Sequence, residues 1–116
     1  MNSTEKRFFK NLIQIIYPTK EQEEKELWNV SGILNKYSNQ HLKFDVRPGF
    51  EMPDGQIGKR STILSKADKI VFETDKDWVI IDVVELHDYV KKQSSNIIQF
   101  NDLLKKLEWN LYISKV

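Results

Sequence analysis

The chain has no cysteine. That excludes disulfides, thiol nucleophiles, zinc ribbons and iron–sulfur clusters together. Glycine and proline are scarce, at 4 and 3 of 116 residues, so a low-complexity chain is excluded as well. No apolar run approaches the ~20 residues a membrane-crossing helix needs. An excess of one charge is also missing: 18 Lys+Arg stand against 17 Asp+Glu, a formal net charge of +1. The first residues, Met-Asn-Ser-Thr-Glu-Lys-Arg-Phe-Phe-Lys, lack a long apolar stretch followed by small residues. They therefore predict no signal peptide, and the expected location is the cytoplasm.

What is present is enough for a core. Apolar residues make up 40% of the chain and include 6 Phe, 4 Tyr and 3 Trp. A chain of this length buries ~60–70% of its unfolded surface, so one globular domain over residues 1–116 is expected.

Charge is unevenly spread along that domain. Residues 36–69 carry seven bases against four acids, whereas residues 70–90 carry six acids against one base. Such patterning can orient a charged partner.

Hydrophobic spacing predicts a helix over residues 4–16, with Phe8, Phe9, Leu12, Ile13, Ile15 and Ile16 forming a wide apolar face. Tyr17-Pro18 should end it. A second helix is expected from a capping box, Thr19 with Gln22, running through Leu27, Val30 and Leu34 towards Tyr37. Alternation of Leu42, Phe44 and Val46 predicts a half-buried strand. Pro48-Gly49 and Pro53-Asp54-Gly55 predict turns. Ile70 and Phe72, a turn at Thr74-Asp75-Lys76-Asp77, and the run Trp78-Val79-Ile80-Ile81-Asp82-Val83-Val84 predict a hairpin. Its second strand should be buried on both faces. Short helices are expected from Leu86 and, capped by Asn101, through Leu103 and Leu107. A closing strand is expected through Trp109, Leu111 and Ile113. The expected fold class is α+β: an N-terminal helical pair packed on a small antiparallel or mixed sheet of three to five strands, with further short helices near the C-terminus.

Asp82 is the most unusual residue of this pattern. A carboxylate inside an apolar strand is costly unless it is paired, hydrogen-bonded or metal-bound. Asp82 can end the strand and pair with a base or a backbone amide. Alternatively, Asp68 on one strand and Asp82 on the next resemble, over about twenty residues, the acid pair of PD-(D/E)xK nucleases. That resemblance implies Mg²⁺-dependent phosphodiester cleavage. It departs from the family at Val84, where the family has the Lys that orients or activates water. The segment from Ala67 to Lys92, a strand–turn–strand ahead of basic residues, also resembles the last hairpin and tail of RelE-type ribonuclease toxins. Those toxins are strongly basic, unlike this chain.

His87 beside Glu85 and Asp88 does not share one helical face with both acids, and His41 stands alone near the expected end of the second helix. Gly55-Gln56-Ile57-Gly58-Lys59-Arg60-Ser61 lacks the glycine spacing of a phosphate loop. With no complete catalytic constellation, the expected function is a small non-enzymatic interaction domain. The expected type is an accessory or inhibitor protein such as phages and mobile elements encode, binding a host protein or a nucleic-acid–protein complex. No cofactor and no resident metal are expected. The candidate binding residues are Arg47, Lys59, Arg60, Lys66 and Lys69, with Phe44 and Phe50 available to stack bases, and the acids Glu73, Asp75, Glu85 and Asp88.

Overall fold

The fold was read from a computed structural model that describes residues 3–47, 56–58, 64–108 and 110–115. The chain begins with helix α1 (Ser3–Phe9), which the side-chain amide of Asn11 closes by donating to the Phe8 carbonyl oxygen at 3.1 Å. Strand β1 (Leu12–Ile16) and helix α2 (Lys20–Glu26) follow. Next come β2 (Val30–Leu34), β3 (His41–Arg47) and the short β4 (Gln56–Gly58). The second half holds β5 (Lys69–Glu73), β6 (Asp77–Asp82), α3 (Val83–Lys91), β7 (Ile97–Gln99), α4 (Phe100–Lys106) and β8 (Asn110–Ser114).

Six strands form one mixed sheet in the order β1-β2-β3-β5-β6-β8. All neighbours are antiparallel except β3 and β5, which run parallel with Phe44 opposite Lys69. β4 and β7 pair separately. The class is therefore α+β, as the sequence implies, with a sheet wider than expected.

The expected N-terminal helical pair is corrected. Leu12, Ile13, Ile15 and Ile16 form an edge strand instead of extending α1, and Val30 to Leu34 form β2 instead of extending α2. Both runs fit a helical period, but their β-branched residues pack equally well on a pleated surface, and sheet pairing wins. The Thr19–Gln22 capping box does form, with the Thr19 hydroxyl accepting from Gln22 N–H at 3.1 Å. Its helix stops after seven residues at Leu27, which sits in the left-handed region at φ 62°.

Two corrections fall in the second half. The strand through Trp78 ends at Asp82, and Val83 and Val84 belong to α3, where Val84 is exposed. Asn101 lies inside α4 and is not its cap; the cap position is Gln99, with no side-chain hydrogen bond. The turns expected at Pro48-Gly49 and Pro53-Asp54-Gly55 lie outside the described residues, as does Trp109.

Side chains from the two faces of the sheet build two cores. On one face α1 inserts Phe8 among Phe44, Val46, Val71, Trp78 and Ile80. Its ring meets Phe44 and Trp78 edge-on at 5.6 and 5.4 Å. On the other, Ile70, Phe72, Val79 and Ile81 pack under Leu86, Val90, Phe100 and Leu103. β5 and β6 are thus covered on both sides, and burying each of their apolar side chains is worth about 1.5–3 kcal/mol.

Candidate functional site

Asp82 sits where β6 hands the chain to α3. Its Oδ1 accepts from the Lys69 ammonium at 3.0 Å, and its Oδ2 accepts from the Glu85 N–H at 3.0 Å as the helix N-cap. Partial burial pushes its carboxyl up, but Lys69 and the Glu85 N–H outweigh this and hold it below the usual carboxylate range. Asp68, its partner in the nuclease resemblance, accepts the Lys43 backbone N–H at 2.8 Å. Both acids therefore tie strand ends together. Among the described residues no group of three or more His, Asp or Glu is arranged to hold a metal ion.

The acidic run of residues 70–90 is divided by the hairpin. Glu73 lies at the far end of β5, about 13 Å from the Asp82 end at the usual strand rise. It receives Arg7 Nη2 at 2.7 Å and Nε at 3.0 Å, and Lys115 at 3.2 Å. The Arg7 hydrogen bonds hold its carboxyl below the usual range against a burial that pushes it up, and Lys115 adds to the effect. Glu73 thereby fastens α1 and the end of β8 to the sheet. Asp75 is exposed in the turn that Thr74 and Asp77 close.

The basic candidates do not converge either. Arg47 ends β3 and reaches back to Asp45 with two hydrogen bonds, at 3.2 and 2.9 Å. Lys69 begins β5 at the opposite end of the sheet, bound to Asp82. Lys66 is exposed, and its N–H donates to the Glu26 carbonyl oxygen at 2.8 Å. Lys59, Arg60 and Phe50 lie outside the described residues. Phe44 is fully buried under Phe8 and has no face left to stack a base.

Glu85 and Asp88 do come together. With Tyr89, Lys92, Lys106, Leu107 and Glu108 they line a cleft of about 370 Å³. Its charges largely satisfy one another: Lys92 meets Asp88 at 3.1 Å, and the Glu85 carboxylate accepts the Glu108 N–H.

A different surface emerges at the β1 edge. Leu12, Val30, Leu34, Phe44 and Val46 point to the α1 core, so alternation turns Ile13, Ser31, Ile33, His41 and Lys43 to the other face. Between Ile13 and Ile16 the β1–β2 register slips, with Gln14 in the left-handed region at φ 54°. Gly32 makes room for this bulge: a Cβ there would stand 3.1 Å from the Ile13 carbonyl oxygen. After the slip Ile15 returns to the α1 side, and Ile16 joins Ile13. Ile13 is 45% exposed and Ile16 57% exposed. Register then sets out two rows across three strands, Ile13–Ile33–His41 and Ile16–Ser31–Lys43. Glu26 and Trp28 border the second row. Trp28 Nε1 donates to Glu26 at 2.8 Å, and the Lys43 ammonium lies 5.2 Å from the Trp28 ring centre and 3.7 Å from Glu26. The Trp28 hydrogen bond, with help from Lys43 and Lys66, holds the Glu26 carboxyl below its usual range although burial pushes it up.

Ile13 and Ile16 were not among the sequence candidates because the helix expected over residues 4–16 takes them into its apolar face, and Ile33 because it falls within the second expected helix. The signal for a strand was there: four β-branched or leucine positions in five, directly after Asn11 and directly before Tyr17-Pro18. Comparison of the chain with protein families, with curated proteins and with solved structures finds no match.

Proposed function

We propose that the chain is a non-enzymatic interaction domain that docks a protein partner on the open face of β1–β2–β3. One observation carries this reading: an edge strand of sequence Leu-Ile-Gln-Ile-Ile, without a single charge, holds Ile13 and Ile16 about half exposed beside Ile33. The bulge guards the edge against strand addition, but no charge on β1 guards the face beside it, and an exposed aliphatic cluster of this kind is typical of interaction sites. The commitment of both Asp82 oxygens to Lys69 and Glu85 supports the same reading over phosphodiester cleavage.

The test is affinity capture with two baits, the wild-type chain and the Ile13→Ser/Ile16→Ser double variant, each shown to be folded by circular dichroism. The reading expects a partner retained by the first and lost from the second. Equal retention by both baits would place the interaction elsewhere.

A further inference from the structure

We infer that the partner segment docked on this face presents aliphatic side chains next to carboxylates. The inference rests on the interaction reading above and adds the partner's chemistry. The argument is the order of residues along each row. Both rows begin with isoleucine at the free edge and end in a nitrogen base on β3, His41 in one and Lys43 in the other.

The base ends are held in place. Ser31 Oγ gives its single hydrogen to the Ile16 carbonyl oxygen at 3.2 Å, so the contact at 2.9 Å to His41 has Nε2–H donating to Ser31 Oγ. That leaves Nδ1 as an acceptor for a partner's hydroxyl or amide N–H, and the carboxylate falls to Lys43. The Lys43 ammonium sits over the Trp28 ring with the side chain 46% exposed, and its Glu26 contact at 3.7 Å is too long for a strong hydrogen bond. Its ammonium keeps donors for a second carboxylate. The turn beyond Ile33 adds Lys36, which is exposed.

The edge itself argues for contact through side chains. The bulge at Gln14 breaks the even spacing of the outward backbone groups, so strand addition along β1 lacks a regular ladder. A segment lying across the rows covers Ile13, Ile16 and Ile33 with aliphatic groups and brings an acid to Lys43. A basic segment would meet like charge there, so the arrangement selects partners as well as holding them.

A display library of random linear peptides, panned on the folded chain, tests this. Enriched peptides are expected to combine Leu, Ile or Val with Asp or Glu. They should bind at least about tenfold more weakly to Ile13→Ser/Ile16→Ser. The His41→Glu variant, which leaves the Lys43, Glu26 and Trp28 contacts in place, should shift enrichment away from acidic peptides. The His41→Glu/Lys43→Glu variant should select basic ones. Peptides that depend on Ile13 and Ile16 but carry no acid, or carry Lys and Arg, would overturn the inference and leave the docking reading standing. Failure to enrich any peptide dependent on Ile13 and Ile16 would overturn both.

Discussion

β1 and β6 are both short strands that carry isoleucines, and their surroundings make them opposites. β6 lies between β5 and β8 with α1 on one side and α3 and α4 on the other, and Ile80 and Ile81 are fully buried. β1 has a neighbour on one side and cover on one face, and Ile13 and Ile16 stand about half exposed. The same residue type therefore holds the fold together in one strand and offers itself to a partner in the other. Charge follows the same division. At the ends of β5 and β6, Glu73 and Asp82 are held by cations from other parts of the chain. On the open face Lys43 keeps binding capacity.

Substitution should separate the two strands most clearly. Ile80→Ala is expected to cost about 2–5 kcal/mol, because it removes a fully buried side chain from a packed core. Ile13→Ala should change stability by less than ~0.5 kcal/mol, as an exposed site does. Urea unfolding midpoints of the two variants check this. Similar midpoints would mean that β1 is covered in solution.

Asp82→Ala should cost about 1–3 kcal/mol, since α3 loses its cap and Lys69 its carboxylate. Asp82→Asn keeps an acceptor for the Glu85 N–H and should cost less. Neither loss should depend on added Mg²⁺; a midpoint for the wild-type chain that rises with Mg²⁺ and does not for Asp82→Asn would restore the nuclease resemblance.

Glu73 and Asp82 both lie below their usual range in the folded chain, so their stabilisation is complete above the unfolded values of ~4 and is lost as pH falls through the folded ones. The urea midpoint is accordingly expected to fall on acidification below about pH 4, and less steeply for Asp82→Asn than for the wild type.

The smallest effect concerns the hairpin behind the open face. Lys36 holds φ 72°, a conformation that glycine adopts without strain. Lys36→Gly should stabilise the chain by at most about 1 kcal/mol, the strain relieved being partly offset by the freer unfolded chain. Thermal melting resolves a change of that size.

The sequence makes β6 legible and β1 ambiguous for a physical reason. The run from Trp78 is apolar on consecutive positions, and only an inner strand or a buried helix satisfies that; its β-branched residues decide between them. The end at Asp82 was open to a structural role, and the structure gives it two, ion pair and helix cap. Leu12 to Ile16 fits a helical period as well as a strand, and what decides is the presence of β2, which comes from distant residues. The charged candidates misled in a similar way. Runs of like charge in sequence were split by strand direction, which sent Glu73 and Glu85 to opposite ends of a hairpin and parted Arg47 from Lys69. A surface made by three strands, with one residue in every two pointing to it, leaves no contiguous mark in the chain.

Amide hydrogen exchange on the chain with and without its captured partner tests the central claim most directly. The account predicts that Leu12–Ile16 and His41–Arg47 slow on binding while Asp77–Asp82 is unchanged. Slowing confined to Val83–Lys91 and Phe100–Lys106, around the α3 cleft, with β1 exchanging as before, would contradict it.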